Sequence, residues 1–143
     1  LVSKIAKDED AVILPICAKI EEELAGLDDE ERDLFLNDLG YHESGLDQII
    51  KSTYSLLSVW SYFTAGPQEA RAWTFIKGMK APECAGIIHT DFQKGFIKAE
   101  CYAYDDLIQY QSEQAVKDMG KFRIEGKEYL VKDGDILHFR FNV

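Results

Sequence analysis

The last eight residues, Ile136-Leu137-His138-Phe139-Arg140-Phe141-Asn142-Val143, constrain the fold more than any other stretch. Successive side chains of a strand point to opposite sides, so Leu137, Phe139, Phe141 and Val143 share one face while His138 and Arg140 share the other. The apolar face reads as core, and a strand with one buried face needs a layer packed over it.

Upstream of it the pattern keeps returning to strand. Gly66-Pro67 is a turn signal between a strand around residues 61–65 and a second over 69–76, which is rich in strand formers. Pro82 suits the first position of a helix, predicted over 83–94 and ended by Gly95. A strand follows over 96–104. Asp105 is predicted to cap one helix whose face is marked by Leu107, Ile108, Gln111, Ala115 and Met119, with Gly120 as the stop. Residues 121–131 read as a hairpin about Glu125-Gly126, and Asp133-Gly134-Asp135 turns the chain into the final strand. A hairpin, a helix and further strands on one mixed sheet give an α+β fold of the β-grasp, ubiquitin-like pattern.

The first 60 residues differ in kind. They hold 14 acids against 5 bases, a net of −9, whereas residues 61–143 hold 12 against 11, a net of −1. The short apolar run 11–16 reads as a buried strand limited by Pro15, followed by a helix that begins at Ile20-Glu21-Glu22-Glu23-Leu24 with acids at its positive end. Asp28 and Glu31 form a capping box for a helix closed by Gly40, and Ser44 with Asp47 repeats the signal. From there Leu46, Ile49, Ile50, Thr53, Leu56, Leu57 and Trp60 mark one buried stripe of a helix predicted to end near Tyr62. The shift in charge and periodicity places a domain boundary near residue 60.

At 143 residues and 46% hydrophobic content the chain can bury one good core or two small ones. No apolar run reaches the ~20 residues that span a bilayer, and Leu1-Val2-Ser3-Lys4 does not resemble a signal peptide. Cys17, Cys84 and Cys101 are odd in number and widely spaced, which argues against a disulfide framework and for a reducing, cytoplasmic setting. Each reads as a small apolar filler.

The stretch Ile88-His89-Thr90-Asp91-Phe92-Gln93-Lys94-Gly95-Phe96 places a histidine two residues before an aspartate. A helix end and loop-fixing role accounts for it best, a partner contact is the alternative, and a metal site would need three or four convergent ligands. Arg71, Lys94 and Lys98, with Lys77, Lys80, Lys121, Arg123 and Arg140, are candidates for a basic docking face beside Trp73, Phe96 and Tyr104, where phosphate contacts and stacking would recognise single-stranded RNA. The bland alternative is that strands simply turn charges outward and aromatics inward. The runs Glu21-Glu22-Glu23 and Asp28-Asp29-Glu30-Glu31 read as solvated helix starts.

Several longer motifs, in order, resemble the C-terminal part of the YchF (Obg-like) ATPases. They are Tyr62-Phe63-Thr64-Ala65-Gly66, Glu69-Ala70-Arg71-Ala72-Trp73-Thr74, Ala85-Gly86-Ile87-Ile88-His89-Thr90-Asp91-Phe92, Lys94-Gly95-Phe96-Ile97, Asp133-Gly134-Asp135 and Phe139-Arg140-Phe141-Asn142-Val143. The resemblance implies that residues 61–143 are a TGS domain and that residues 1–60 are the tail, strand plus helices, of a P-loop nucleotide-binding domain. It sets Cys17, Ala18 and Lys19 where the family's S-A-K motif packs beside the nucleotide base, with Cys17 in place of serine. No G-x-x-x-x-G-K-[ST] loop is present, so no catalytic residue and no metal ligand is assigned, and these 143 residues are expected to need no cofactor and hydrolyse nothing. ATP or GTP with Mg²⁺ would belong to a full-length parent, of which this chain reads as a C-terminal fragment. The partners implied are a ribosome or RNA-protein complex and the parent's own nucleotide-binding domain, with no membrane. The rival is an intramolecular cover that contacts no RNA.

Overall fold

A computed structural model describes residues 2–9, 11–66 and 69–142. The predicted turn at Pro67 and the place of Val143 in the last strand lie outside the described residues. The chain divides into two compact units, Leu1–Leu57 and Ser58–Val143.

The first unit is helical: α1 (Val2–Asp8), α2 (Ala18–Leu24), α3 (Asp29–Asp38) and α4 (Gly45–Leu56). Its caps follow the sequence. Asp28 accepts from the Glu31 amide at 2.9 Å and the Glu31 carboxylate accepts from the Asp28 amide at 3.3 Å. Ser44 caps α4 by accepting from the Asp47 amide, and Gly40 takes a positive φ of 77° after α3. Ala6, Leu24 and Leu36 are buried.

Three expectations fail here. Residues 11–17 are irregular and mostly exposed, with no strand. An apolar run becomes a strand only with a ladder partner for its amides and carbonyls, and none of the described strands pairs with it. The stripe on α4 is also not buried, since Leu46, Ile49, Ile50, Leu56 and Leu57 are all exposed. Nor does α4 reach Tyr62. It ends at Leu56, Ser58 adopts a left-handed φ of 53°, and Trp60 belongs to the strand that follows.

The second unit contains β1 (Val59–Ala65), β2 (Ala70–Ile76), α5 (Ala81–Ile88), α6 (Thr90–Lys94), β3 (Phe96–Ala103), α7 (Tyr104–Tyr110), α8 (Glu113–Asp118), β4 (Arg123–Glu125) and β5 (Asp135–Phe141). The five strands form one mixed sheet in the order β2-β1-β5-β3-β4. β1 and β5 run parallel, and every other pair is antiparallel. Its first face, with Tyr62, Phe75, Ala99, Cys101, Leu137 and Phe139, is buried with Ala81, Cys84 and Ala85 of α5. The Tyr62 hydroxyl donates to the Cys84 carbonyl at 2.8 Å inside that core. The second face is covered in part, where Tyr102 and Ile136 pack with Val116 of α8.

The helix predicted over 83–94 is two helices. His89 is extended at φ −160° and its Nδ1 accepts from the Asp91 amide at 3.2 Å, so the imidazole caps α6. Phe92 then stacks on Phe141 with ring centroids 3.8 Å apart. Gly95 is required by proximity, because a Cβ there would lie 2.0 Å from the Asn142 carbonyl oxygen, and the Asn142 amide donates to the Gly95 carbonyl. The helix predicted after Asp105 is likewise divided, at Gln111 (φ 60°), with Ser112 capping α8. Asp105 is not the cap, since α7 starts a residue earlier and Ala103 occupies that position without a side-chain bond.

The predicted 121–131 hairpin is absent. β4 pairs with β3, and beyond it only an isolated bridge joins Leu130 to Lys80. A polar network replaces the missing ladder. Asp135, 2% exposed, accepts from the Tyr129 hydroxyl at 2.7 Å, the Lys132 amide at 2.9 Å and the Arg123 guanidinium at 3.2 Å.

Gly95→Ala should destabilise the second unit by on the order of 2 kcal/mol, because backbone must move to admit the methyl group. Asp135→Ala should cost about 3 kcal/mol by leaving the Tyr129 hydroxyl and the Lys132 amide without their acceptor, while Arg123 keeps Glu125 as a partner. Urea denaturation with unchanged slope would register both, and wild-type midpoints would refute them.

Candidate functional site

Strand alternation and register build the open part of the second sheet face. Lys98 pairs with Arg140, Glu100 with His138 and Tyr102 with Ile136 across β3 and β5. The Glu100 carboxylate lies between two bases, accepting from Arg140 at 3.0 Å and sitting 3.4 Å from the Lys98 ammonium. The hydrogen bond from Arg140 holds the Glu100 carboxyl below its usual range, against the opposing effect of desolvation. This pairing is therefore complete at neutral pH and is lost as pH falls through the lowered value.

Beside the ladder, α8 carries Glu113 and Lys117 one turn apart and ion-paired, with the Lys117 ammonium 4.7 Å from the centre of the Phe122 ring. Phe122 stacks in turn on Tyr102, centroids 5.8 Å apart. Sheet and helix flank an open cavity of about 460 Å³ lined by Tyr102, Phe122, Lys117, His138 and Arg140 among others.

The predicted docking residues do not converge. Arg71 pairs with Thr64 in the β1–β2 register and so belongs to the first face, on the outer strand, where its guanidinium lies 4.2 Å from the centre of the Trp73 ring. Trp73 is fixed by its indole N–H donating to the Thr64 hydroxyl at 2.9 Å. Lys94 is in the last turn of α6. Of these three only Lys98 lies on the second face, beside Arg140 of the wider basic series. Of the aromatics, Phe96 is 3% exposed and part of the core. Arg140 was only one name in a long basic series, and nothing in the sequence marked it as the partner of Glu100, because that pairing depends on register.

Cys17, Ala18 and Lys19 open α2, all exposed, and Cys17 makes no side-chain capping bond. The volume beside Cys17, about 30 Å³, holds roughly one water molecule and not a nucleotide base. Sequence reading missed Glu21. Its carboxylate accepts from the Gly45 amide at 2.8 Å, capping α4 from 24 residues away. Among the described residues no group of three His, Cys, Asp or Glu is placed to hold a metal ion, and no helix is long and apolar enough to cross a membrane. Burial pushes the Cys84 and Cys101 thiols up to about 12 each.

Residues 59–142 match the family described as YchF-GTPase_C, a protein of unknown function (DUF933). The chain is 59% identical over 142 residues to the ribosome-binding ATPase YchF of Bacillus subtilis (strain 168), covering 99% of this chain and 39% of that protein. It is 52% identical over 142 residues to the ribosome-binding ATPase YchF of Escherichia coli O157:H7, with the same coverage. It thus spans about two fifths of the length of these curated relatives. Among solved structures, the Schizosaccharomyces pombe YchF GTPase superposes with a TM-score of 0.78 at 40% identity, covering 97% of this chain and 38% of that one. A GTP binding protein from Pyrococcus horikoshii OT3, at 18% identity and a TM-score of 0.62, shares the fold.

A disulfide-exchange reagent at pH 8 should titrate one thiol, Cys17, in the native chain and all three after unfolding, because Cys84 and Cys101 are buried. Rapid reaction of more than one thiol in the native state would contradict this packing.

Proposed function

The chain belongs to the YchF GTPase C-terminal family, and on that premise we propose that it is the C-terminal part of a ribosome-binding ATPase or GTPase whose second unit docks on a ribosome or RNA-protein complex. The observation that carries this reading is the 59% identity to a ribosome-binding ATPase over 142 residues, which extends through both units. In this reading the second unit is a TGS domain, and the order β2-β1-β5-β3-β4 with β1 and β5 parallel supports a β-grasp assignment. The first unit is the tail of the nucleotide-binding domain, with Cys17, Ala18 and Lys19 beside the base. The other walls of that pocket, the phosphate loop and the Mg²⁺ site come from the part of the parent that this chain does not span. Hydrolysis belongs to the parent, in the cytoplasm, and this chain contributes recognition.

A second reading is favoured by a separate observation. The exposed apolar residues of the first unit, Val12, Ile13, Ile16, Leu46, Ile50 and Leu57, suit a surface that covers the parent's own nucleotide domain. In that case the module is an intramolecular cover without RNA contact.

Co-sedimentation of the chain with purified ribosomes across a salt series separates the two. Docking through phosphate contacts predicts binding that falls steeply with salt. Since Arg71 and Lys98 occupy opposite sheet faces, the loss on Arg71→Ala or on Lys98→Ala identifies the face that docks. Absence of binding at low salt refutes docking by this chain and leaves the cover.

A further inference from the structure

The cavity on the second sheet face suits a ligand smaller than a ribosome. At about 460 Å³ it falls within the roughly 300–1,000 Å³ typical of small-molecule sites, which combine apolar walls with a few convergent polar groups. One wall is apolar and aromatic: Phe122, Tyr102 and Ile136. The other is charged. Arg140 and Lys117 line the cavity, and Lys98 adjoins them through Glu100. In a chain of net charge −10, three bases here face two carboxylates, Glu100 and Glu113, and each carboxylate already has a basic partner. The Arg140 side chain is half-exposed and bonds Glu100 through one nitrogen, which leaves most of its five N–H donors for an incoming anion.

We propose that this cavity binds a phosphorylated ligand of mononucleotide size, its planar ring replacing the Lys117 ammonium over Phe122 and its phosphate held by Arg140 and the displaced Lys117. Stacking on an aromatic wall recognises the ring without reading its identity, and the guanidinium matches phosphate geometry. A free nucleoside monophosphate and an unpaired nucleotide of RNA present the same chemistry, and the inference goes beyond docking in naming the pocket that receives it.

The test is an NMR titration of the chain with AMP, adenosine, inorganic phosphate and a hexa-adenylate RNA. Saturable shifts of the Glu100, Lys117 and His138 amides are expected with AMP, or with the hexamer alone if the natural source is RNA. Arg140→Ala should weaken that binding about tenfold, the scale of one charge-assisted hydrogen bond, while Arg71→Ala, on the opposite face, leaves it unchanged. Adenosine and inorganic phosphate should each bind more weakly than AMP or the hexamer. The inference is overturned if neither AMP nor the hexamer moves these amides, if Arg140→Ala binds like the wild type, or if phosphate alone binds as tightly as AMP. Ribosome pelleting by the same samples shows separately whether docking survives such a failure.

Discussion

Asp135 holds together the part of the second unit that has least regular structure. A buried carboxylate is costly unless its oxygens are satisfied, and this one takes the Tyr129 hydroxyl, the Lys132 amide and the Arg123 guanidinium. Those donors come from β4 and from the segment between β4 and β5, whose ladder pairing is reduced to one isolated bridge, Leu130 to Lys80. The neighbours of Asp135 extend the tie. Asp133 accepts from the Ser61 amide, the Gly134 amide donates to the Ser61 carbonyl, and the Gly134 carbonyl accepts from the Tyr104 amide. Three consecutive residues therefore connect β1, β4 and α7 at the start of β5. Gly134 takes a φ of 78° in that turn, a conformation glycine adopts without the Cβ penalty.

With its start fixed there, β5 lies at the centre of the sheet between β1 and β3. Its alternation then divides the unit chemically. Leu137, Phe139 and Phe141 meet α5, α6 and the aromatics of β1 and β2, while His138 and Arg140 stay on a face that α8 covers only beside Ile136 and Tyr102. A shift of one residue in this pairing would exchange the two sets. The Lys98–Glu100–Arg140 cluster is thus a product of the same register that fills the core.

Local chemistry was legible in the sequence, and pairing was not. The Asp28–Glu31 box, the Ser44 cap, the β1–β2 strands and the two faces of β5 up to Phe141 depend on neighbours a few residues away and formed close to where the pattern placed them, β1 starting two residues earlier at Val59. The misses required knowledge of distant partners. Residues 11–16 have strand composition but no ladder partner, and residues 121–131 look like a hairpin but give their one strand to β3. His89 and Gln111 interrupt helices through an imidazole cap and a left-handed residue, neither of which breaks apolar periodicity. At the site, the basic residues were visible individually, while their division between opposite faces was fixed only by the sheet. Glu21 as the cap of α4 was beyond reach for the same reason, since the contact joins residues 24 apart.

The charge distribution limits how a polyanion can be recognised. Residues 1–60 carry −9 and residues 61–143 carry −1, so neither part supplies a long-range attractive field. At physiological salt the screening length is about 8 Å, comparable to the span of two or three neighbouring side chains. The proposed recognition of phosphate would therefore rest on contacts within a small patch, where geometry outweighs net charge. Arg140 and Lys98 meet that condition through their shared register position on adjacent strands. Arg71 meets it differently, with its guanidinium 4.2 Å from the centre of a Trp73 ring that is itself anchored to Thr64. All three are pre-positioned cations, and pre-positioning lowers the side-chain entropy lost on binding. That gain would let a chain whose overall charge repels an anion bind one as proposed.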